Sequence, residues 1–213
     1  MSYIKLENAT KAYGGEKVLD GINLSFESGK IYGLVGRNGS GKTLLLKSIL
    51  GFLSLDEGFC QVDDKVIGKD IDFVPNTGFI IETPGFMGRE TGFNNLKFLA
   101  RINNKIGDEE IRRSIERLGL DPDSKKKVSQ YSMGMKQRLA IAQAIMEDPA
   151  ILILDEPMNG LDNERVIKVR DLLLELKEAG KLIILASHNK EDIDVLCDEI
   201  IRIDKGRIVK RSY

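Results

Sequence analysis

Apolar residues recur along the chain with two different periods. Residues 3–7 and 18–26 alternate between apolar and polar positions, which predicts two half-buried strands. Residues 31–35, 150–154 and 182–186 are short and almost wholly apolar, a pattern typical of strands buried on both faces. Strands of this second kind belong to parallel sheets whose faces are covered by helices.

Helical spacing replaces the strand pattern between residues 91 and 145. One helix there is expected to begin at Asp108, its candidate N-cap. Its apolar face is formed by Ile111, Ile115 and Leu118. Residues 44–53 predict an earlier helix, and residues 163–179 predict a later one that stops at Gly180. The central helical stretch indicates a lobe inserted into the sheet-forming part of the chain.

Two hairpins and one short strand complete the pattern. Residues 59–67 and 200–209 predict the hairpins, and residues 78–81 predict the strand. Strands that alternate with crossover helices imply a mainly parallel sheet, and a ligand of such a sheet lies beyond the carboxyl ends of its strands. The predicted fold class is therefore α/β.

Composition and charge narrow the classes of partner. The chain has 213 residues, 42% of them hydrophobic, which is enough for one large domain with a full core. Its 32 basic and 33 acidic residues give a formal net charge of -1, so we expect no nucleic acid partner and no general attraction to an anionic membrane. Cys60 and Cys197 lack metal-type spacing and fit reduced thiols of a cytosolic protein. No apolar stretch reaches the roughly 18 residues of a membrane helix.

Residues 36–43 fit the phosphate-binding loop pattern G-x-x-x-x-G-K-[ST] and directly follow the buried run 31–35. Glycines let the N–H groups of such a loop point inward, and the next helix begins with its positive end at the phosphates. Lys42 adds a point charge, and Thr43 offers a hydroxyl to magnesium. The pattern predicts a nucleoside triphosphate site with contacts from Gly36, Arg37, Asn38, Gly39, Ser40, Gly41, Lys42, Thr43 and Leu44.

Two acids end the buried run 150–154. Asp155 is the expected magnesium ligand, and Glu156 is expected to polarise a water molecule in line with the γ-phosphate. Acids often end strands, so this pair indicates a triphosphate site only in combination with the phosphate-binding loop. Together the two motifs predict a P-loop NTPase core.

Residues 131–138, Tyr-Ser-Met-Gly-Met-Lys-Gln-Arg, resemble the signature of the ATP-binding-cassette (ABC) ATPases. The order and spacing of the motifs extend the resemblance from about residue 3 to residue 209, and they include residues 159–162 and His188. The resemblance implies an ATPase that uses ATP and Mg²⁺.

The resemblance also implies a single ABC ATPase domain over residues 1–213. Residues 1–82 and 149–213 would form the nucleotide-binding core together with an N-terminal antiparallel β subdomain. Residues 83–148 would form the inserted helical lobe.

Members of this family work as head-to-tail dimers, so the resemblance implies a second ABC ATPase chain, taken here as an identical copy. Each nucleotide would lie between the phosphate-binding loop of one chain and the signature of the other. Ser132 and Gly134 are expected to reach the partner's γ-phosphate from a helix N-terminus. Binding of ATP would close the dimer, and hydrolysis would release it.

Three further residues take roles from the resemblance. His188, the only histidine of the chain, matches the family's switch histidine and is expected to act with Glu156 and Lys42 on the γ-phosphate. Tyr13 matches the aromatic residue that stacks on adenine. Asp162 resembles an acid that lines the dimer interface, and it is also a candidate cap for the helix that follows.

The chain departs from the family pattern at three positions. Glu82 stands where a glutamine usually senses magnesium; a carboxylate still ligates magnesium but adds negative charge near the triphosphate. Met133 stands where glycine is common in the signature, and Met135 where glutamine is common. The two changes in the signature keep the backbone donors and Ser132 but remove a side-chain amide. They therefore affect the strength of the contact with the partner's nucleotide, and with it the turnover rate.

Residues 81–96 look similar to the corresponding segment of bacterial cassettes that serve antibiotic-peptide and related exporters. The predicted function is therefore to power a separately encoded integral membrane transporter subunit that exports a peptide or antibiotic. The expected location is cytoplasmic, peripheral on the inner face of the cell membrane. Two alternatives stay open: a soluble ABC ATPase of a non-transport assembly, and a regulatory ATP-binding module with little hydrolysis.

Overall fold

The structure, a computed structural model, describes residues 3–82 and 85–212. The strands are β1 (Tyr3–Tyr13), β2 (Glu16–Glu27), β3 (Ile31–Val35), β4 (Glu57–Val62), β5 (Lys65–Val66), β6 (Thr77–Ile80), β7 (Ile151–Asp155), β8 (Leu182–Ala186), β9 (Glu199–Asp204) and β10 (Arg207–Ser212). The α-helices are α1 (Lys42–Leu50), α2 (Gly92–Asn103), α3 (Asp108–Arg117), α4 (Met133–Ile145), α5 (Asn163–Glu178) and α6 (Lys190–Leu196).

The strands form two sheets. The larger sheet has the order β10-β9-β3-β8-β7-β6, and all its neighbouring strands are parallel except the edge pair β9 and β10. The smaller sheet, β2-β1-β4-β5, is antiparallel. The predicted α/β class is confirmed, with a mainly parallel sheet and an antiparallel sheet formed from the N-terminal part of the chain.

Both faces of the parallel sheet are buried, which explains the continuous apolar runs. In β7, Leu152 and Leu154 face a core shared with helices α2 to α6, whereas Ile151 and Ile153 face a core shared with α1 and the antiparallel sheet. Alternate residues of β8 divide between the two cores in the same way. A strand in this position has no solvent-facing side, so it carries no polar alternation.

The carboxyl ends of three neighbouring strands lie at one edge of this sheet. β3 leads into the phosphate-binding loop, β7 ends at Asp155, and β8 is followed by His188. Because β8 lies between β3 and β7, the three motifs meet although they are far apart in the chain.

Some element boundaries differ from the sequence-based expectation. Helix α1 begins at Lys42, two residues before the predicted start. The prediction of Asp108 as an N-cap is wrong, because the cap of α3 is Gly107, whose N–H donates to the Glu110 carboxylate at 2.9 Å. Helix α6 was not predicted. It has only seven residues, too few for an apolar period to stand out.

Within residues 3–82 and 85–212, no helix has both the length and the apolar character needed to cross a bilayer. Cys60 and Cys197 are free thiols, and burial raises the pKa of each to about 12. Both therefore stay protonated near neutral pH.

Gly78 in β6 lets helix α4 lie directly on the sheet. A Cβ atom at this position would stand 1.8 Å from the carbonyl oxygen of Ala144, a distance that only a backbone shift relieves. This contact fixes the height of α4 above the sheet, and with it the position of the signature residues at the start of that helix.

We predict that Gly78→Ala lowers the free energy of unfolding by about 2–3 kcal/mol, because the added methyl group pushes α4 away from β6. Gly88→Ala is the matched control: its Cβ would meet nothing closer than Ser129 at 3.5 Å, so a change within about 0.5 kcal/mol is expected. Urea unfolding followed by circular dichroism measures both values. Equal losses in the two variants would contradict the prediction.

Candidate nucleotide-binding and hydrolysis site

A cleft of about 570 Å³ opens at the carboxyl edge of the parallel sheet. It is bounded by the phosphate-binding loop, the end of β7 and the first two turns of α4. Its lining residues are Asn38, Gly39, Ser40, Gly41, Lys42, Thr43, Leu44, Glu82, Met133, Lys136, Gln137, Asp155, Glu156 and Asn159. Twelve of these fourteen residues are polar, charged or glycine, and only two are apolar, so the cleft is suited to a charged ligand.

The side chain of Lys42 is held inside the phosphate-binding loop. Lys42 is 8% exposed, and its Nζ donates to the carbonyl oxygens of Gly36 at 2.8 Å and Arg37 at 3.2 Å. Gly41 precedes it with φ 107°, and a Cβ atom there would stand 2.9 Å from the carbonyl oxygen of Val18. The loop therefore needs glycine at this position in order to hold the ammonium group at the N-terminus of α1.

Ser40 carries a polar atom that lacks a partner. Its Oγ is buried and makes no hydrogen bond within the described residues. An unpaired buried hydroxyl costs free energy unless a ligand satisfies it. Among the predicted contact residues, Ser40 is thus the one with an unsatisfied group beside Lys42.

Thr43 and Asp155 are in direct contact. The hydroxyl of Thr43 donates to Asp155 Oδ2 at 2.7 Å. Magnesium is commonly held by one or two protein oxygens together with phosphate oxygens of the nucleotide, so a hydroxyl and a carboxylate at this spacing fit that ion. Within the described residues no group of three or more His, Cys, Asp or Glu side chains forms a metal site of its own.

Glu82, the third predicted metal ligand, lines the same cleft but pairs with a lysine. Its carboxylate lies 2.5 Å from Nζ of Lys47 on α1, and its side chain is 63% exposed. An exposed pair of this kind contributes only about 0–1 kcal/mol. The carboxylate is therefore held weakly and is near the cleft.

Glu156 and His188 form the second contact at this edge. Oε1 of Glu156 lies 2.9 Å from Nδ1 of His188. Glu156 has a left-handed backbone, with φ 50°, and its N–H donates to the carbonyl oxygen of Ala186 at 2.8 Å. This bond ties the acid to the end of β8, two residues before the histidine. The structure thus brings together the two residues expected to handle the attacking water and the γ-phosphate.

A buried ion pair supports the loop that carries His188. Arg170 on α5 donates to Oδ1 of Asp192 on α6 at 2.6 and 2.9 Å. Asp192 Oδ2 accepts from the hydroxyl of Ser187 at 3.4 Å, and that hydroxyl accepts from the N–H of Asn189 at 3.1 Å. The bonds hold the residues on both sides of the histidine.

The signature helix α4 presents its N-terminus to solvent. Ser132 is its N-cap: its hydroxyl oxygen accepts from the N–H of Met135 at 3.2 Å, which leaves the hydroxyl proton available for a further bond. Met133 is 64% exposed. Gly134 lies close to the carbonyl oxygen of Gly160, which a Cβ atom would approach to 2.7 Å. Ser132 and Gly134 themselves are not part of the cleft lining.

Five further predicted residues are absent from the cleft lining: Gly36, Arg37 and His188 line a neighbouring cavity of about 500 Å³, and Tyr13 and Asp162 line neither. Tyr13 ends β1 with 53% of its surface exposed, and Nζ of Lys11 stands 5.5 Å from its ring centroid. Its adenine contact stays a prediction. Asp162 caps α5, since its side chain accepts from the N–H of Arg165 at 2.9 Å, so the capping role is confirmed.

Three residues around the site were missed at the level of sequence: Gln137, Lys47 and Arg170. Gln137 donates from Nε2 to the carbonyl oxygens of Glu156 and Pro157 at 3.3 and 3.0 Å. Lys47 and Arg170 belong to no motif, and Gln137 lies in the signature but was given no role, because each of the three acts by a contact between segments distant in the chain. Only the order of the strands brings these segments together.

The protein family described as "ABC transporter" matches this chain over residues 19–159. YybJ of Bacillus subtilis, described as an uncharacterized ABC transporter ATP-binding protein, is 45% identical over 96% of this chain and 94% of its own length. The bacitracin transport ATP-binding protein BcrA of Enterococcus faecalis is 40% identical over 97% of this chain and 68% of its own. The lantibiotic transport ATP-binding protein SrtF of Streptococcus pyogenes is 32% identical over 97% and 89%.

Solved structures agree with this result. A nucleotide-free ATP-binding cassette from an ABC transporter superposes with a TM-score of 0.85 at 25% identity, over 100% of this chain and 91% of that one. A dimeric structure of a bacterial ABC transporter cassette gives 0.87 at 25% identity, over 98% and 97%.

Proposed function

The chain belongs to the ABC transporter family as an ATP-binding and ATP-hydrolysing subunit, and from this premise we propose that its cleft uses magnesium-bound ATP to power export of a peptide or antibiotic. The observation that supports this most directly is the pairing of two contacts beside Lys42. Thr43 meets Asp155 at 2.7 Å, and Glu156 meets His188 at 2.9 Å. The contact of Thr43 with Asp155 suits the binding of a metal ion. The contact of Glu156 with His188 suits the activation of a water molecule next to a phosphate group.

The phosphates are held by the loop of residues 36–43 and by Leu44 after it. The ammonium group of Lys42 exchanges its two carbonyl partners for phosphate oxygens, and the buried hydroxyl of Ser40 gains a partner. Thr43 and Asp155 hold magnesium, with Glu82 close by as a further oxygen donor. When bound, the ion neutralises phosphate charge as the bond to the leaving group breaks.

Glu156 acts as the general base toward the attacking water. Its carboxylate lines the cleft, and its contact with Nδ1 of His188 fixes its direction. His188 is 67% exposed at the side chain, and we assign to it the contact with the γ-phosphate. The imidazole thus connects the base to the γ-phosphoryl group that the water attacks, and ADP is the leaving group.

A second copy of the chain completes the site. One protomer covers the phosphates from the side of α1, and Ser132 and Gly134 of the other protomer close the opposite side with a helix N-terminus. The exposed N-terminus of α4 and the available proton of the Ser132 hydroxyl support this arrangement. The exposed ring of Tyr13 stacks on adenine.

The substrate class follows from the relatives. The names of BcrA and SrtF specify bacitracin and lantibiotic transport. Residues 81–96 support the same class, although residues 83 and 84 of this segment lie outside the described part of the chain. We take the transported molecule to be a peptide antibiotic or a related compound, and magnesium to be the metal.

An exposed aromatic patch offers a docking surface for the membrane subunit. Phe52, Phe73 and Phe79 are 47%, 58% and 36% exposed, and their rings meet edge to face at 5.7 and 5.2 Å. Phe79 lies in β6, three residues before Glu82 of the nucleotide cleft, and itself lines a separate cavity. We propose that its occupant is an apolar cytoplasmic segment of the separately encoded subunit, with this chain peripheral on the inner face of the membrane.

We further propose that the chain divides into a core, residues 1–82 and 149–213, and a helical lobe, residues 83–148. Phe86 and Phe93 of the lobe are only partly exposed and pack against the apolar core that helices α2 to α6 share with the parallel sheet. They therefore serve the lobe itself, and the patch of Phe52, Phe73 and Phe79 is the better docking surface.

We predict that Lys42→Ala abolishes hydrolysis and weakens binding of magnesium-loaded ATP at least tenfold, because the loop loses its only buried ammonium group within the described residues. Lys69→Ala, at an exposed lysine of the connection between β5 and β6, is the control and should bind as the parent does. Isothermal titration calorimetry measures both. Unchanged affinity of Lys42→Ala for magnesium-loaded ATP would refute the role of Lys42 in the phosphate-binding loop. Absence of affinity in the parent chain would refute the proposed function.

We predict that Glu156→Gln lowers kcat by about 10²–10³-fold while ATP stays bound, because the amide keeps the shape of the base but does not accept the proton of water. Glu178→Gln, at an exposed acid of α5, controls for the loss of one charge. Phosphate release and nucleotide retention are measured together. Full turnover in Glu156→Gln would contradict its role. A parent chain that binds ATP and dimerises without releasing phosphate would favour the regulatory alternative.

We predict that Phe73→Ala lowers the affinity for the copurifying membrane subunit by about 30-fold, because an aromatic anchor of an interface contributes about 2 kcal/mol. Hydrolysis by the isolated chain should not change. Ile167→Ala removes a similarly exposed apolar side chain from α5 and should not weaken binding. If Phe73→Ala and Ile167→Ala copurify with equal amounts of the membrane subunit, the patch is not the docking surface. If the chain copurifies with soluble proteins alone, the alternative of a non-transport assembly is favoured.

A further inference from the structure

The signature helix α4 makes a second contact inside its own chain, one turn beyond its N-terminus. Gln137 points its side-chain amide at the turn that follows β7. Its Nε2 donates to the carbonyl oxygen of Pro157 at 3.0 Å and to that of Glu156 at 3.3 Å. The helix proposed to touch the partner's nucleotide is thus bonded to the backbone of this chain's own base.

The backbone of Glu156 needs such support. A residue with a Cβ atom is strained at φ 50° and keeps that conformation only where neighbouring bonds enforce it. Its N–H donates to Ala186 at 2.8 Å, and its carbonyl oxygen accepts from the N–H of Asn159 at 3.1 Å as well as from Gln137. Gln137 is the one side chain among these partners. The other bonds come from the backbone and do not depend on residue type.

The bond from Gln137 to the carbonyl oxygen of Pro157 affects the direction of the Glu156 side chain as well as the local turn. Pro157 is buried, and its carbonyl oxygen takes the shorter of the two bonds from Gln137. A buried carbonyl that loses its donor costs free energy, and the turn then relaxes toward another partner. Rotation of the peptide between the acid and the proline would turn the carboxylate away from His188, 2.9 Å from it at present.

We propose that Gln137 is a positioning residue for hydrolysis: it holds the strained turn at Glu156 and so aims the base into the cleft. This inference rests on the proposed function, since it takes Glu156 as the base. It adds a connection between the two sites of a dimer, because Ser132 and Gln137 lie on one helix. Closure of α4 on the partner's nucleotide would at the same time secure the base at this chain's own nucleotide.

The first test separates the chemical step from binding. Gln137→Met keeps the length of the side chain and removes the donor, so we expect kcat to fall about tenfold with KM for magnesium-loaded ATP within about twofold of the parent. Gln137→Glu should lower kcat further, because its carboxylate would face two carbonyl oxygens and be repelled by them. Gln143→Met, on the same helix but lining a different cavity, is the matched control and should keep full activity.

The second test is a double-mutant cycle with the base. In the Glu156→Gln background, Gln137→Met should cause no further loss of the residual rate, since it acts only through that side chain. ATP-dependent dimerisation, measured by size-exclusion chromatography, should persist in Gln137→Met and be lost in Ser132→Ala. Should Gln137→Met fail to fold, Gln137→Glu takes its place in the cycle.

Two results would overturn the inference. One is an equal fold-loss from Gln137→Met with and without Glu156→Gln, which would mean a role independent of the base. The other is full kcat in Gln137→Met in a parent chain that hydrolyses ATP. A parent chain without hydrolysis would instead refute the proposed function, so the two failures are distinguishable.

Discussion

The neighbourhood of β3, β8 and β7 in one parallel sheet is the constraint on which the site depends. Each strand delivers a different group at its carboxyl end: the phosphate-binding loop, the segment of His188, and the pair Asp155 and Glu156. The strands are buried on both faces, so a shift of register would move apolar side chains out of both cores at once. The cores thus hold the chemical groups in place although they contain none of them.

The sequence predicted what local patterns encode. Fully apolar runs marked the buried strands, and the spacing of residues 36–43 marked the loop, because both arise from neighbouring residues. The cap of α3 was misassigned because glycine and aspartate are both good N-caps and only the bond between Gly107 and Glu110 decides between them. The roles of Gln137 and Lys47 depend on contacts across 19 and 35 residues of chain, which no local pattern contains.

The pair of Glu82 and Lys47 bears on the charge balance of the cleft. A glutamate in place of glutamine adds one negative charge beside a triphosphate, which alone would weaken nucleotide binding. Lys47 lies 2.5 Å from that carboxylate and offsets the added charge. Because an exposed pair of this kind is weak, the carboxylate is able to leave the lysine when a stronger cation binds nearby. The departure from the family pattern is therefore compatible with a magnesium site.

In the proposed dimer, the division of the site between two surfaces would keep one chain inactive until it meets its partner. The phosphate-binding loop holds its lysine in a recess, as the 8% exposure of Lys42 shows, whereas Ser132 is exposed and does not line the cleft of its own chain. A bound triphosphate would therefore be covered on one side only. Water-exposed phosphate oxygens are poorly stabilised during hydrolysis, so the rate depends on the arrival of a second helix N-terminus. In such a dimer chemical energy would be released only when two chains have closed, which is the condition for converting it into motion of an attached protein.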